Sequence, residues 1–158
     1  MDAALASLIL RQDDLSNPQT QELVRLHLAG MADNSPPGHC FALDDSGLKA
    51  PGVTLWSAWR GERIAAIGAL KALDGDAGEI KSMRTHPDHL RQGAGAAILD
   101  EIIAEARRRG YRRLSLETGS GEAFDAALAM YRARGFKFGG AFSDYVASAF
   151  NQFMHLDL

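Results

Sequence analysis

Hydrophobic and polar residues alternate along this chain in two different patterns, one typical of strands and one typical of helices, and the order of these patterns predicts an α/β protein. Strand-like apolar runs cover 53–60 and 63–73, and the Gly61-Glu62 pair between them is typical of a hairpin turn. From Ile98 to Ala106, by contrast, apolar residues recur every three or four positions, which predicts a helix. This helix follows a glycine-rich turn and should end at Gly110.

Capping residues and turn signals delimit the other elements. Asn17 is suited to cap a helix that has Pro18 in its first turn, and the turn-rich stretch 34–38 should end it. The complete predicted order is a strand at 5–11, a helix at 18–33, strands at 53–60, 63–73 and 79–85, a helix from 93 to 110, a strand at 111–118, a helix at 121–134, and strands at 136–139 and 152–158.

This order of elements predicts the fold class. A hairpin that precedes a strand–helix–strand unit implies that antiparallel strands meet a parallel pair. We therefore expect one α/β domain over residues 1–158, with helices on both faces of a central mixed sheet. Trp56 and Trp59 should help to fill the core, and Cys40 should be a small buried residue. His27 should flank the packed face of its helix rather than act in catalysis.

Composition narrows the classes of function. The 17 basic and 20 acidic residues give a net charge of -3, so the whole chain is not an electrostatic match for nucleic acid or an anionic membrane. The single cysteine excludes internal disulfides, and no apolar run approaches the ~18 residues of a membrane span. The first residues lack the pattern of a signal peptide, so we expect a cytoplasmic protein. No cluster of His, Cys and acidic residues has metal-ligand spacing, so we expect no metal.

The segment 79–96 carries the most chemical information. Its glycines lie where a loop turns into a helix, and the unpaired first-turn amides and positive dipole end there attract phosphate. This segment therefore predicts a phosphate site near 91–96. The alternative is that the small residues serve only to let the helix pack closely against the sheet. A nucleotide P-loop would need Lys-Ser or Lys-Thr where Ala96-Ala97 stands. A dinucleotide turn would need Gly or Ala at Ile98 and no intervening loop at 86–92.

With these residues in place, the sequence resembles the GNAT superfamily of acyl-CoA-dependent N-acyltransferases. Gly93-Ala94-Gly95-Ala96 fits the glycine positions of the family's R/Q-x-x-G-x-G/A turn, although Leu90 replaces the usual first residue. The stretch from Tyr131 to Phe136 fits a second family pattern, Y-x-x-x-G-F. The two patterns occur in the family's order across 79–139. The resemblance implies a GNAT-like, mostly antiparallel sheet of about six to seven strands with a parallel pair at its centre.

The resemblance also implies acetyl-CoA as cosubstrate and assigns residues to it. In such enzymes the pantetheine arm lies along the strand before the turn and contacts its backbone, and the pyrophosphate binds the turn. The implied cofactor-binding residues of this chain are Met83, Arg84, Thr85, Arg91, Gln92, Gly93, Ala94, Gly95 and Ala96.

Two residues receive catalytic roles from the same resemblance. Glu79 is the expected base that removes a proton from the acceptor amine, and Glu117 and Asp144 are alternative carboxylates. Tyr131 is expected to protonate the departing CoA thiolate, the alternative being an aromatic residue that only packs. No nucleophilic serine or cysteine is needed, because the amine attacks the thioester directly.

The acceptor itself is less defined. The resemblance implies acetyl transfer to a primary amine, and the mild acidity of the chain favours a small neutral or cationic molecule. A protein N-terminus or lysine, or a non-catalytic acyl-CoA-binding regulatory role, remain as alternatives. The acceptor groove is expected from 33–51 and 141–151, and a homodimer is one assembly common among relatives.

Overall fold

A computed structural model describes residues 7–158, and its elements lie close to the predicted positions. The first two residues of the predicted strand 5–11 lie outside the described part. Two short 3₁₀ turns, at Pro87–His89 and Glu122–Phe124, precede the third and fourth helices. The elements are β1 (Leu8–Gln12), α1 (Pro18–Asp33), α2 (Asp45–Leu48), β2 (Val53–Arg60), β3 (Arg63–Leu73), β4 (Ala77–Thr85), α3 (Ala94–Arg108), β5 (Arg113–Thr118), α4 (Asp125–Ala133), β6 (Lys137–Gly139) and β7 (Gln152–Asp157).

The strands form a seven-stranded sheet in the order β1-β2-β3-β4-β5-β7-β6. β4 and β5 pair in parallel, and the other neighbours pair antiparallel. The crossover from β4 to β5 is made by α3, which is the connection that a parallel pair requires. The predicted fold class, a mixed and mostly antiparallel sheet with a central parallel pair, is confirmed.

Each face of the sheet is covered by helices and has its own apolar core. On one face Leu70 packs with Ile98 of α3 and Leu128 of α4. On the other face Ala69 packs with Leu23 of α1. Successive strand residues point to opposite faces, so neighbouring positions of β3 serve both cores. Trp56 and Trp59 are both buried, as predicted, and each joins a different core.

The parallel pair separates after three residue pairs. Its last pair joins Glu79 to Ser115, while β4 continues to Thr85. Beyond that point Ser82 and Met83 lie opposite the single residue Gly68 of β3, and Ser82 has a φ of 58°. This is a β-bulge, which bends a strand and increases its local twist. β4 therefore leaves β5, and a gap opens between them on the side where α3 begins.

Two local predictions were wrong. The helix predicted at 121–134 begins later, because Gly121 has a φ of 110° and a 3₁₀ turn intervenes before α4. Cys40 is exposed rather than buried. It lies on the irregular segment between α1 and α2, where no regular alternation directs side chains into a core.

Candidate active site

The start of α3 presents unpaired backbone donors to the gap between β4 and β5. Gly93 precedes the helix with a φ of 85° and supplies no side-chain cap. The hydrogen bond from the Ala97 amide to the Gly93 carbonyl, 3.0 Å long, closes the first turn. The amides of the preceding helical residues therefore have no partner within the helix. Together with the positive dipole end, they make this turn a suitable binding site for a phosphate group.

Contacts from two strands hold the turn in place. Arg60 of β2 donates from Nη2 to the carbonyl of Gln92, at 2.7 Å. Gly95 lies against the end of β4, where an added Cβ would meet Oγ1 of Thr85 at 2.9 Å. Glycine at this position thus lets α3 approach β4 closely, whereas the glycine at 93 is needed for its positive φ.

A cleft of about 600 Å³ extends from this turn between the separated strands. All but one of the predicted cofactor-binding residues line it, and the exception is Gln92. The Gln92 side chain is half-buried, and its Oε1 has no hydrogen-bond partner among the described residues. The lining residues that carry a charge or a phenol group are Lys81, Arg84, Arg91, Glu117 and Tyr131.

Tyr131 lies on α4 and reaches the cleft from the face covered by α3. Its ring is buried and contacts Phe136 edge-to-face, with the ring centroids 5.7 Å apart. Within residues 7–158 its hydroxyl has no hydrogen-bond partner. Burial raises the pKa of Tyr131, so the phenol stays protonated and can donate a proton or a hydrogen bond in the cleft.

Glu79 lies beneath the opposite side of the site and is absent from the cleft lining. It is 2% exposed, so the alternative of an exposed acid at a strand end is wrong. Its Oε2 accepts a hydrogen bond from Lys81 Nζ at 3.2 Å and another from the Tyr145 hydroxyl. Lys81 Nζ also donates to the Tyr145 oxygen at 2.8 Å. The carboxylate charge of Glu79 is thus balanced by a buried ammonium group.

Glu117 is the carboxylate that the structure places in the cleft itself. It lies on β5 and has no hydrogen bond or ion pair with any described residue. Burial raises the pKa of Glu117 to about 7, and the charge of Glu79 adds to this effect while that of Lys81 opposes it. Its carboxyl group therefore exchanges a proton near neutral pH. Asp144, the third candidate, is exposed and does not line the cleft.

Arg84 and His27 form a polar contact on the α1 side of the cleft. Nε of Arg84 donates to Nδ1 of His27 at 3.0 Å, and Nη2 approaches the His27 carbonyl at 3.4 Å. Burial lowers the pKa of His27 to about 4, and the charges of Arg84 and Lys81 act in the same direction. The imidazole is therefore neutral and accepts a hydrogen bond from the arginine.

The two segments expected to build the acceptor groove meet above these residues. Phe41 contacts Tyr145 edge-to-face at 5.4 Å, and His39 contacts Phe150 at 6.0 Å. Sequence reasoning missed Tyr145 and Lys81 as site residues. The one signal for Tyr145 was its position in the loop 141–151, and Lys81 gave no signal beyond its proximity to Glu79.

Two searches of the described residues were negative. No group of three or more His, Cys, Asp and Glu side chains in residues 7–158 could hold a metal ion. Among the same residues, no helix has the length and apolar character that crossing a bilayer requires.

Comparison with known proteins agrees with the fold. The sequence model of the Acetyltransferase (GNAT) family matches residues 13–136. The chain belongs to this family of acyltransferases. It is 45% identical to the Escherichia coli N-acetyltransferase YedL, with 94% of each chain covered. It is 48% identical to the Bacillus subtilis N-acetyltransferase YsnE, over 86% of this chain and 90% of the relative.

Solved structures share the fold at lower sequence identity. A Bacillus subtilis acetyltransferase in complex with CoA superposes with a TM-score of 0.72 at 18% identity, covering 96% of this chain and 99% of that one. A GNAT family acetyltransferase from Elizabethkingia anophelis, with acetyl-CoA bound, gives a TM-score of 0.70 at 18% identity, covering 96% and 98%.

Proposed function

We propose that the protein transfers an acetyl group from acetyl-CoA to the amine of a small molecule, by direct attack within a ternary complex. One observation carries the proposal. The phosphate-binding turn of α3, the phenol of Tyr131 and the carboxyl group of Glu117 all open into the same cleft. An anion site, a proton donor and a proton acceptor are the groups that this transfer needs.

Acetyl-CoA fits the two halves of the cleft. Its pyrophosphate would be bound by the free amides at 93–96. Its pantetheine arm would lie along Met83, Arg84 and Thr85, because pairing with β5 ends at Glu79 and leaves the β5-facing main-chain groups without a strand partner. CoA and acetyl-CoA are bound in the two structures of the same fold described above, which supports this choice of cosubstrate.

The reaction then needs three proton transfers, two from the acceptor nitrogen and one to the thiolate. The acceptor enters as an ammonium ion and loses one proton to a carboxylate before its nitrogen attacks the thioester carbonyl. The new C–N bond forms, the C–S bond breaks, and the thiolate takes a proton from the phenol of Tyr131. The nitrogen, which carries a positive charge after its attack, loses its second proton to the resulting phenolate and becomes the neutral amide. A main-chain amide in the segment 83–85 would donate to the carbonyl oxygen as negative charge develops on it. The protonated carboxyl group then releases its proton to solvent and returns to the carboxylate.

Glu117 is the carboxylate that we place in the role of base. Its carboxyl group lines the cleft, has no competing partner within the described part, and titrates near neutral pH. Glu79, the base expected from the sequence, is engaged by Lys81 and Tyr145. We assign Glu79 as a positioning residue, because its charge holds Lys81 and raises the pKa of Glu117.

A thiol-release assay with acetyl-CoA and a panel of amines tests this assignment. Tyr131→Phe and Glu117→Gln should each lower kcat by about a hundredfold or more, with the Kd for acetyl-CoA changed less than threefold. In the wild type, kcat/KM should rise with pH through about 7, and Glu117→Gln should remove that limb. Glu22→Gln, an exposed acid on α1, is the control.

The outcomes separate the alternatives. If Glu79→Gln removes the limb and Glu117→Gln keeps it, Glu79 is the base. Acetyl-CoA binding without turnover on any amine or peptide would favour the regulatory module. Binding of ATP or NAD without acetyl-CoA would refute the proposal as a whole.

A further inference from the structure

The α1 side of the cleft contains an arginine that the proposed acetyl transfer does not use. The guanidinium group of Arg84 lies against Gly30 of α1, where an added Cβ would meet Nη2 at 2.9 Å and Cζ at 3.4 Å. His27 orients it from the preceding turn of the same helix. The side chain is half-buried and lines the cleft. The fold thus provides a fitted position for this guanidinium group.

The charge of Arg84 has no counter-ion in the described part of the chain. No carboxylate of residues 7–158 lies within ion-pair distance of it, and His27, its main partner, is neutral. Its two hydrogen bonds use Nε and one hydrogen of Nη2, which leaves the Nη1 hydrogens without an acceptor among the described residues. A partly buried guanidinium group with free, coplanar donors is suited to bind a carboxylate through two hydrogen bonds.

A negative group lies in the same cleft. Lys81 and Glu79 balance each other's charge, so Glu117 and Arg84 remain as the uncompensated pair on the acceptor side. If the β4–β5 register is continued, Glu117 lies opposite Lys81, three residues before Arg84. At ~3.3 Å per residue, three residues of β4 span about 10 Å, and the gap between the separated strands adds to this distance, which two side chains and a small molecule between them can span.

We propose that the acceptor is a small amino acid, with its amine at Glu117 and its carboxylate on Arg84. This inference rests on the proposed acetyl transfer and names its substrate class. Such a molecule is a zwitterion: it is neutral overall, as net charge favours, but it also carries a carboxylate. Met31 and Phe41 also line the α1 side of the cleft and would contact an apolar side chain.

A role for Arg84 in binding the cosubstrate phosphates is the main competing explanation. The position of the guanidinium group argues against it, because Arg84 is held at α1 by His27 and Gly30 rather than at the start of α3. Arg91 is adjacent to the turn and exposed in the cleft, so it is the arginine suited to a phosphate. Replacing Arg84 should therefore weaken binding of the acceptor, whereas replacing Arg91 should weaken binding of acetyl-CoA.

Matched acceptors test the proposal directly. In the thiol-release assay, leucine, methionine and phenylalanine are each compared with the corresponding amide and with the corresponding decarboxylated amine. The panel also includes L-amino acids in which the reacting amine lies farther from the carboxylate. For at least one set, kcat/KM should be more than tenfold higher for the amino acid than for either derivative. Equal or better turnover of the derivatives would overturn the inference.

Variants then assign the effect to Arg84. Arg84→Gln should raise the KM for the amino acid at least tenfold more than it raises the KM for the decarboxylated amine. Arg91→Gln should instead weaken acetyl-CoA, and the exposed Arg25→Gln should change neither. Gly30→Ala keeps Arg84 but displaces its guanidinium group, so it should also weaken binding of the amino acid. Alanine is favoured over glycine in a helix, so this substitution should not destabilise α1 itself.

The two levels of the proposal fail in different ways. Weakened acetyl-CoA binding in Arg84→Gln, without loss of amino-acid preference, would place Arg84 at the cosubstrate. If the panel gives no turnover and no amino acid binds the acetyl-CoA-saturated protein, the amino-acid inference is refuted even though the cosubstrate site stands. Failure to bind acetyl-CoA at all would refute the proposed function itself.

Discussion

Replacing His27 by glutamine should change how the stability of the protein depends on pH. Burial holds the pKa of His27 at about 4, below its ordinary value of 6.5. Between these values the unfolded chain binds one more proton than the folded chain, so the free energy of unfolding falls as the pH falls. The stabilisation by neutral His27 is therefore complete above about 6.5 and is lost on acidification towards about 4.

The size of the effect follows from the pKa shift. One pH unit corresponds to about 1.4 kcal/mol, so the full interval amounts to about 3 kcal/mol. Solvent screening reduces this little, because His27 is 5% exposed. About 2 kcal/mol of it should be lost between about pH 6.5 and about pH 5. Glutamine can still accept the hydrogen bond from Arg84 but does not titrate in this range.

Urea unfolding at about pH 7.5 and about pH 5 measures the effect as a difference between two proteins. The wild type should lose about 2 kcal/mol more on acidification than His27→Gln does, and groups common to both cancel. Glu117→Gln is an internal control, because Glu117 should change the free energy of unfolding with pH in the opposite direction. The raised pKa of Glu117 makes wild-type stability fall as the pH rises from about 4.5 to about 7, and the variant should lack this fall. Equal acid-induced losses in wild type and His27→Gln would refute the reasoning.

Two further substitutions test the packing around the cleft. Gly68→Ala should lower the free energy of unfolding by about 1–3 kcal/mol, because its Cβ would lie 2.4 Å from Ile98 and 2.5 Å from Met83 in the core; an unchanged urea midpoint would contradict this. Gly93→Ala should cost about 1–2 kcal/mol through its φ of 85° and weaken acetyl-CoA binding about tenfold by calorimetry. Gly140→Ala, in open space, is the control that should show neither effect.

Most of the fold could be predicted because its signals are local. The hairpin between β2 and β3 has the bounds that the apolar runs and Gly61-Glu62 predict. Asn17 caps α1 by accepting from the Gln19 amide, as a residue of its type before proline should. Where a signal was weaker, as at Gly121 or in the segment around Cys40, the prediction was wrong because tertiary context decided the conformation.

The positions of the glycine-rich turn before α3 and of Tyr131, which both line the cleft, could be predicted for the same reason. Each belongs to a short pattern whose glycines and aromatic residues constrain the backbone nearby. The environment of Glu79 depends instead on partners distant in sequence, above all Tyr145, which is 66 positions away. No spacing rule shows that Lys81 and Tyr145 engage this carboxylate, or that Glu117 on the next strand is left facing the cleft.

The charges inside the cleft, rather than the net charge of the whole chain, should decide which acceptor is bound. A charge of -3 over the whole chain describes mostly exposed side chains, whose field is screened within ~10 Å at ordinary salt. Inside the cleft, the balance of charge depends on a few side chains. Glu79 and Lys81 balance each other, which leaves the carboxyl group of Glu117 and the guanidinium group of Arg84 without an ion-pair partner among the described residues. A cleft with these two charges favours a ligand that carries both complementary charges over a purely cationic amine, because such an amine would leave Arg84 desolvated and unpaired.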